Sequence, residues 1–278
     1  MTELLEAALL GIVQGLTEFL PVSSTGHLLI AEKALGVSEE EFGLRFDAAI
    51  HLGTLAAILV YFRGLLLLLL AAWIDSLQAR RWDVSTDARL AWLLIIGTIP
   101  AGLVGLLLES TAESAFRSPV LVGTMLILFS LPLFLAERLG RGGRSVSEAG
   151  PVDALLLGVA QSVALIPGVS RSGITIAAGM GRAFKREEAA VFAFLLSGPI
   201  IAAAGGKQLF DVIRGSDSGT ASADLGVYAV GLVTAAIVGY GAISFLVRFL
   251  RRNPLHVFIA YRIGLGAAVL GLAAVGVF

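Results

Sequence analysis

The sequence contains no cysteine among its 278 residues, and it carries few charges of either sign. Without cysteine there is no disulfide framework, no thiol nucleophile and no thiolate metal site. The 20 basic and 21 acidic residues leave a formal net charge of −1, which provides no field that would attract a polyanion. These shortages exclude a secreted disulfide scaffold and a nucleic-acid-binding protein.

Charged residues make up 15% of the chain, whereas soluble domains average about 25%. Hydrophobic residues make up 57%, and the mean hydropathy is +0.89. A soluble domain of this length cannot bury so much apolar surface, so lipid is the expected solvent. The opening Met1-Thr2-Glu3 lacks the basic start of a signal peptide, and we interpret the first apolar stretch as mature structure.

Six apolar stretches reach the length of about 20 residues that a membrane-spanning helix needs. They are residues 46–72, 90–108, 118–136, 188–206, 226–250 and 255–277. Polar connections separate them, including a Gly/Ser-rich loop predicted at 214–219. The connection with Arg138, Arg141 and Arg144 and the connection with Arg248, Arg251 and Arg252 fall on the same side, which the positive-inside rule assigns to the cytoplasm.

Two further apolar stretches, 4–35 and 153–183, are each interrupted by a short polar turn that contains proline. Non-helical backbone at membrane depth is tolerated only where protein or a water-filled cavity surrounds it. Each stretch is therefore predicted to form a re-entrant helical hairpin that lines a cavity. The expected fold class is an all-α polytopic membrane protein with six transmembrane helices and two re-entrant hairpins.

The two interrupted stretches resemble each other at a shift of 147 residues. Residues 11–26 align with residues 158–173 without a gap, with five identities in sixteen positions. The shift is about half the chain, so we predict one membrane domain, 1–278, made of two repeats, 1–145 and 146–278. With one hairpin and three spans in each repeat, the second repeat is inverted, and such paired breaks indicate a site between the repeats.

The first break combines an acid, hydroxyls and a histidine. Gln14 and Glu18 are four residues apart and share one helix face, and an ionisable residue inside an apolar helix indicates a functional site. The hydroxyls of Ser23, Ser24 and Thr25 suit phosphate oxygens, and His27 suits a general base or acid. The alternatives are a structural glutamate and a histidine that is merely hydrogen-bonded.

The second break contains Arg171 at the start of an apolar helix. A permanently charged guanidinium in a membrane needs an anion, and a helix N-terminus adds free amides and a positive dipole end. The break therefore predicts an oxyanion or phosphate cradle; the alternative is a structural ion pair between Arg171 and Glu18. If the two breaks face each other, one cavity holds a nucleophile, a base, an acid and an anion clamp, which suits hydrolysis of a phosphoanhydride.

These motifs resemble those of the bacterial undecaprenyl-diphosphate phosphatases, the bacitracin-resistance protein family. The resemblance rests on Gln-x-x-x-Glu at 14–18, Pro-Val-Ser-Ser-Thr-Gly-His at 21–27 and Pro-Gly-x-Ser-Arg-Ser-Gly at 167–173. It implies a multi-pass enzyme of the bacterial inner membrane that removes the terminal phosphate of undecaprenyl diphosphate and recycles this lipid carrier for cell-wall synthesis. It also implies a divalent cation, Mg²⁺ or Ca²⁺, a site open to the periplasmic side, and a homodimer.

The resemblance also implies a role for each residue. Ser24 is expected to attack phosphorus and His27 to take its proton, with His27 as the alternative nucleophile. Arg171 is expected to clamp the phosphate, and Glu18 to act in acid–base catalysis and, with Gln14, to hold the cation. Gln14 stands where some members have glutamate, which weakens the case for a second carboxylate ligand. The residues expected to bind the phosphates are Ser23, Thr25, Gly168, Ser170 and Ser172. The residues expected around the site are Asp47, His51 and Gln161, with the water interface as the alternative for Asp47 and His51.

Three other functional classes share some of these sequence features. Inverted repeats with broken helices are typical of transporters, so a polyprenyl-phosphate transporter or flippase with the same cavity is the main alternative. The phospho-histidine class of membrane lipid phosphatases is excluded, because Ala177 stands six residues after Arg171 and no histidine follows before His256. A purely structural membrane protein would leave the ionisable residues of the breaks unexplained. The pair Tyr261-Arg262 in the last span also resembles a family segment, and snorkelling to lipid headgroups is the alternative interpretation of Arg262.

Overall fold

The apolar stretches of the sequence fold as helices in the computed structural model of the protein. The structure describes residues 3–37, 42, 44–115, 118–140, 142–214 and 225–278, with the backbone alone for 44–45, 108–115 and 208–214. Within these residues there are twelve α-helices, one 3-10 turn and no β-strand. Arg141 and the predicted loop at 215–219 lie outside the described residues.

The helices follow the predicted segments closely. Those of the first half are α1 (Glu3–Phe19), α2 (Ser24–Leu35), α3 (Leu44–Tyr61), α4 (Arg63–Ala79), α5 (Thr86–Ala115), α6 (Pro119–Leu128) and α7 (Ser130–Leu139). Those of the second half are α8 (Pro151–Val163), α9 (Arg171–Gly181), α10 (Arg186–Arg214), α11 (Leu225–Leu250) and α12 (His256–Ala274), and the 3-10 turn Val146–Glu148 precedes α8. Both predicted breaks therefore separate two short helices.

The number of membrane-spanning helices depends on one bend. Five helical segments of the described chain are long and apolar enough to cross a membrane: Thr86–Leu107, Pro119–Leu139, Arg186–Lys207, Leu225–Leu250 and His256–Ala274. Helices α3 and α4 meet this condition only together, and they are bent by 77°, which makes six spans if the pair is one. The expectation of an unbroken span over 46–72 is wrong, since the chain turns at Phe62, just before Arg63 and the weak helix former Gly64.

The first helix of each hairpin packs closely against a long helix of the other half of the chain. A Cβ atom on Gly11 of α1 would lie 2.1 Å from Oγ1 of Thr234 in α11. A Cβ atom on Gly158 of α8 would lie 2.2 Å from the carbonyl oxygen of Gly97 in α5. Gly11 and Gly158 are equivalent at the shift of 147 residues, so the same absence of a side chain permits both contacts.

A buried carboxylate fastens the base of the second hairpin. Asp153 in α8 is 3% exposed and accepts hydrogen bonds from Arg144 Nη2 at 2.8 Å and from Arg182 Nε at 2.6 Å. Burial by itself raises the pKa of Asp153, but the hydrogen bonds from Arg144 and Arg182 outweigh it and lower this pKa to about 2. Asp153 thereby joins the connection before α8 to the end of α9.

Asp153→Asn should destabilise the purified protein at neutral pH by about 3 kcal/mol, because it breaks a buried ion pair. The folded-state pKa of Asp153 is below its ordinary value of 3.8, so the stabilisation is complete above that pH and is lost as the pH falls towards 2. The difference in Tm between wild type and variant should therefore shrink over this range. Asp83→Asn, at an exposed pair with Arg81, is the control. An equal Tm difference at both ends of the range would contradict the account.

Candidate active site

The two turns that break the hairpins lie against each other. Ser172 Oγ in the second hairpin donates a hydrogen bond to the carbonyl oxygen of Leu20 in the first hairpin, at 3.0 Å. Nη1 of Arg171 lies 3.8 Å from Oε1 of Glu18. The structure thus brings together the charged residues of the two breaks, which are 153 positions apart in the sequence.

The two turns have the same unusual backbone conformation. Ser23 has φ 71° and ψ 107°, and Ser170, its equivalent at the shift of 147 residues, has φ 73° and ψ 111°. Positive φ is uncommon for residues other than glycine and costs free energy that the surrounding structure must offset. Each serine is the N-cap of the following helix. The conformation therefore fixes where α2 and α9 begin.

The N-terminal ends of α2 and α9 converge on Glu18. Ser24 is the first residue of α2 and Arg171 the first of α9, and the side chains of both reach the Glu18 carboxylate. A helix N-terminus has unpaired backbone N–H groups and a positive dipole end, both of which favour an anion. Two such ends near one carboxylate make a site that suits phosphate oxygens.

Glu18 is a buried carboxylate surrounded by donors. It is 9% exposed, and its Oε2 accepts hydrogen bonds from Ser24 Oγ at 2.8 Å and from Gln14 Nε2 at 3.1 Å. His51 Nε2, on helix α3, lies 3.8 Å from the same oxygen. The carboxylate is therefore the acceptor for the Ser24 hydroxyl proton.

Arg171 retains a free hydrogen-bonding group at the centre of the site. Its side chain is 26% exposed, and its Nη1 atom is buried with no hydrogen-bond partner among the described residues. The 3.8 Å separation from Glu18 is too long for a hydrogen bond. An unpaired buried donor is costly, so this Nη1 atom is available to donate to an acceptor on a ligand.

His27 is held by two partners, neither of which is Ser24. Its Nδ1 lies 2.8 Å from the carbonyl oxygen of Ser23, and its Nε2 lies 2.8 Å from Oη of Tyr261 in α12. The predicted transfer from Ser24 to His27 has no direct hydrogen bond in this structure, since the Ser24 hydroxyl donates to Glu18. Side chains on a helix tilt towards its N-terminus, which directs Ser24 back towards α1.

The residues predicted to bind phosphate fall into two groups. In the first turn, Ser23 is buried without a side-chain capping bond and Thr25 is half-buried. In the second turn the polar groups are engaged: Ser170 Oγ accepts from the Gly173 amide at 3.2 Å, and Ser172 bonds Leu20. Gly168 has φ +91°, and a Cβ atom there would lie 2.5 Å from the Val122 carbonyl oxygen. In the second turn, Ser170 therefore holds the local backbone, Ser172 joins the turn to the first hairpin, and Gly168 permits close packing on α6.

The residues predicted around the site lie in different places. His51 lies beside Glu18, and its Nδ1 is 2.6 Å from the carbonyl oxygen of Asp47. The Asp47 carboxylate has one oxygen, Oδ1, that is buried without a hydrogen-bond partner in the described part of the chain. Gln161, the equivalent of Gln14, lies in α8 and donates from Nε2 to the carbonyl oxygen of Leu196 in α10, at 3.5 Å.

Comparison with known proteins identifies the family. The profile of the bacitracin resistance protein BacA family matches residues 7–268. The chain belongs to the BacA family. It is 47% identical to the undecaprenyl-diphosphatase of Rubrobacter xylanophilus, over 98% of this chain and 99% of the relative. It is 42% identical to the undecaprenyl-diphosphatase of Pelobacter propionicus, over 99% and 98% of the two chains. With its long apolar helices, this BacA family member is a multi-pass membrane protein.

Arg262 of this BacA family member joins both turns. It is fully buried, and its guanidinium donates to the carbonyl oxygens of Pro21 at 3.4 Å, Gly168 at 3.2 Å and Val169 at 3.0 Å, and to Ser130 Oγ at 3.3 Å. The interpretation of Arg262 as a residue that snorkels to headgroups is therefore wrong. The available signal was a permanent charge within an apolar span, the same criterion that singled out Arg171.

The metal-binding capacity of the site is small. No group of three or more His, Cys, Asp or Glu side chains in the described residues could hold a metal ion. Gln14 Oε1 is buried and has no partner in that part of the chain, so it and Glu18 offer two oxygen ligands. Mg²⁺ is commonly bound by one or two protein oxygens together with water and substrate phosphates. These residues fit a cation of that kind.

Proposed function

We propose that the protein hydrolyses undecaprenyl diphosphate to undecaprenyl phosphate and inorganic phosphate. Its relatives in Rubrobacter xylanophilus and Pelobacter propionicus are named undecaprenyl-diphosphatase. The observation that carries the proposal is the Ser24 hydroxyl, 2.8 Å from the Glu18 carboxylate, beside an Arg171 guanidinium with an unfilled buried donor. A nucleophile, a proton acceptor and an anion clamp thus meet at one point.

The first chemical step begins at Ser24. Its Oγ attacks the terminal phosphorus while its proton passes to Glu18 Oε2, the acceptor of its hydrogen bond. The bond from phosphorus to the bridging oxygen breaks, and undecaprenyl phosphate leaves with that electron pair. Arg171 and the N-terminal ends of α2 and α9 stabilise the charge that develops on the phosphoryl oxygens.

The second step releases inorganic phosphate. Water attacks the phosphorus of the phosphoserine, its proton passes to His27 Nε2, and Ser24 Oγ recovers the proton held by Glu18. His27 then returns its proton to solvent. The two carriers differ in their contacts: Glu18 accepts the hydrogen bond of Ser24, and His27, three residues after Ser24 in α2, bonds Tyr261. A divalent cation, Mg²⁺ or Ca²⁺, held by Glu18 and Gln14, would neutralise charge on the diphosphate.

We further infer that the chain is an inverted repeat with six spans and two re-entrant hairpins. Two features support this arrangement: the equivalent backbone of Ser23 and Ser170, and the packing of α1 on α11 and of α8 on α5. We place the protein in the inner membrane as a homodimer, with the basic connections at Arg138 and Arg248 in the cytoplasm and the site open to the periplasm.

The test is phosphate release from undecaprenyl diphosphate by the protein in detergent, where there is no membrane to cross. Arg171→Met should lower kcat by about 10³-fold, and Arg171→Lys, which keeps the charge but loses the planar fork, by less. Arg252→Met, at an exposed position of the connection before α12, is the control and should remain active. Absence of phosphate release by wild type with Mg²⁺ or Ca²⁺ would overturn the proposal. It would favour the transporter or flippase, for which the measurement is movement of the lipid across vesicle membranes.

A further inference from the structure

We propose that Tyr261 is a positioning residue for the phosphatase reaction, which fixes the orientation and tautomer of His27. The inference rests on the proposed function and extends it to α12. Tyr261 Oη lies 2.8 Å from His27 Nε2, and the two residues are 234 positions apart in the sequence. The structure thereby adds to the site a side chain that the motifs of the two breaks do not contain.

The hydrogen bond of Nδ1 decides which ring nitrogen of neutral His27 carries the proton. Nδ1 lies 2.8 Å from the Ser23 carbonyl oxygen, which can only accept a hydrogen bond, so Nδ1 must carry the proton. Nε2 then has a free lone pair, and the Tyr261 hydroxyl donates to it. The residue equivalent to His27 in the second turn is Ile174, whose backbone N–H donates to the Ser170 carbonyl oxygen at 3.0 Å. This imidazole arrangement therefore belongs to the first turn.

Ring packing restricts His27 in the same way. The rings of His27 and Tyr261 are stacked, with an interplanar angle of 7° and 5.6 Å between their centroids. The χ2 torsion of histidine has a broad minimum, so an unrestrained imidazole would turn over readily. Turning the ring over would place carbon atoms against the Ser23 carbonyl and the Tyr261 hydroxyl and would break both hydrogen bonds. The contacts therefore keep Nε2, the proton-carrying atom of the second step, in one place.

Tyr261 is itself held firmly. Its neighbour Arg262 bonds the carbonyl oxygens of Pro21 and Val169, which fixes this part of α12 against both turns. The Tyr261 side chain is nevertheless 49% exposed, so its hydroxyl lies at the edge of the protein interior and not within the packed core. Incoming water or phosphate can thus take its place on Nε2 without disturbing the core.

The test compares Tyr261→Phe, which retains the stacked ring, with Tyr240→Phe as the matched control. Tyr240 lies on α11, where its ring packs against Tyr61. Loss of one hydrogen bond that orients the proton carrier should lower kcat for phosphate release about tenfold, with KM changed less than about twofold. The control should keep both constants. A normal kcat in Tyr261→Phe, or an equal loss in Tyr240→Phe, would overturn the proposal.

The second measurement is ¹⁵N NMR of the imidazoles at about pH 8.5, where histidine is ordinarily neutral. The chain has three histidines, and His27→Gln identifies the His27 signals by their loss. Wild type should show the Nδ1–H tautomer, because the hydrogen bond to the Ser23 carbonyl requires it in this ring orientation. In Tyr261→Phe the ring loses the hydroxyl that holds Nε2 and should turn over in part of the molecules, which breaks the Ser23 hydrogen bond and admits the Nε2–H tautomer. An unchanged tautomer in Tyr261→Phe would contradict positioning, even if kcat fell. Because NMR needs no turnover, failure of the phosphatase proposal would appear separately, as absence of phosphate release by wild type.

Discussion

Glu18→Gln should lower kcat for phosphate release by about 10³-fold, the largest effect we expect from a single change of side-chain charge at the site. Glutamine has nearly the same size and can still accept the Ser24 hydrogen bond, but it cannot accept the proton that leaves Ser24. The change also removes the negative charge opposite Arg171. Glu3→Gln, at the exposed beginning of the same helix, is the control and should keep the wild-type rate.

Comparison with His27→Gln tests which group takes the proton from Ser24. The Ser24 hydroxyl donates to Glu18 at 2.8 Å, whereas His27 bonds Ser23 and Tyr261. We therefore expect His27→Gln to retain more activity than Glu18→Gln, with rates measured at saturating substrate and cation. The reverse order would assign the first proton transfer to His27. A Glu18→Gln rate close to wild type would remove Glu18 from the mechanism.

The positions of the helices could be predicted because lipid leaves few alternatives. Backbone polar groups in a bilayer must be satisfied within the segment, so apolar runs become helices and polar interruptions become turns. The division of both interrupted stretches into two helices followed from this rule, with the second helices beginning at Ser24 and at Arg171. The 77° bend between α3 and α4 could not be predicted from this rule, because the pair Arg63-Gly64 interrupts the apolar run only briefly.

Charge scarcity predicted some site residues better than others. Glu18 and Arg171 stand out because charges are rare in apolar segments, and the structure brings their side chains within 3.8 Å of each other. Arg262 satisfies the same criterion, but sequence alone does not distinguish a buried arginine from one that reaches the headgroups. Tyr261 was indicated only by the resemblance of Tyr261-Arg262 to a family segment, since an aromatic residue in a span is by itself typical of the membrane interface.

Equivalent positions of the two turns differ in chemistry although their backbones agree. At the shift of 147 residues, the proposed nucleophile Ser24 corresponds to the proposed clamp Arg171, and the proposed proton acceptor Glu18 corresponds to Leu165. The shared backbone provides two similar helix N-termini, while the side chains at their first positions differ. In the proposed mechanism, two turns of similar backbone therefore form one asymmetric site, with the proton carriers on the first turn and the phosphate clamp on the second.

Arg262→Lys should reduce both stability and activity, although Arg262 lies behind the turns and does not contact Glu18. The guanidinium reaches three carbonyl oxygens of the two turns at once, those of Pro21, Gly168 and Val169. Lysine keeps the positive charge, but its three donors radiate from a single atom and cannot span these acceptors. Buried carbonyl groups left without donors cost about 1–3 kcal/mol each, which should lower Tm clearly.

The effect on activity should exceed the effect on the folded fraction. If Arg262 sets the spacing of the two turns, its loss separates the Ser24 hydroxyl from the Arg171 clamp, and kcat should fall about 100-fold at temperatures well below the variant's Tm. Arg248→Lys is the matched control, because Arg248 is exposed and its hydrogen bonds, within the part of the chain that the structure describes, go to Ser244 of its own helix. A variant with a lowered Tm and a normal kcat would show that Arg262 stabilises the fold without aligning the turns.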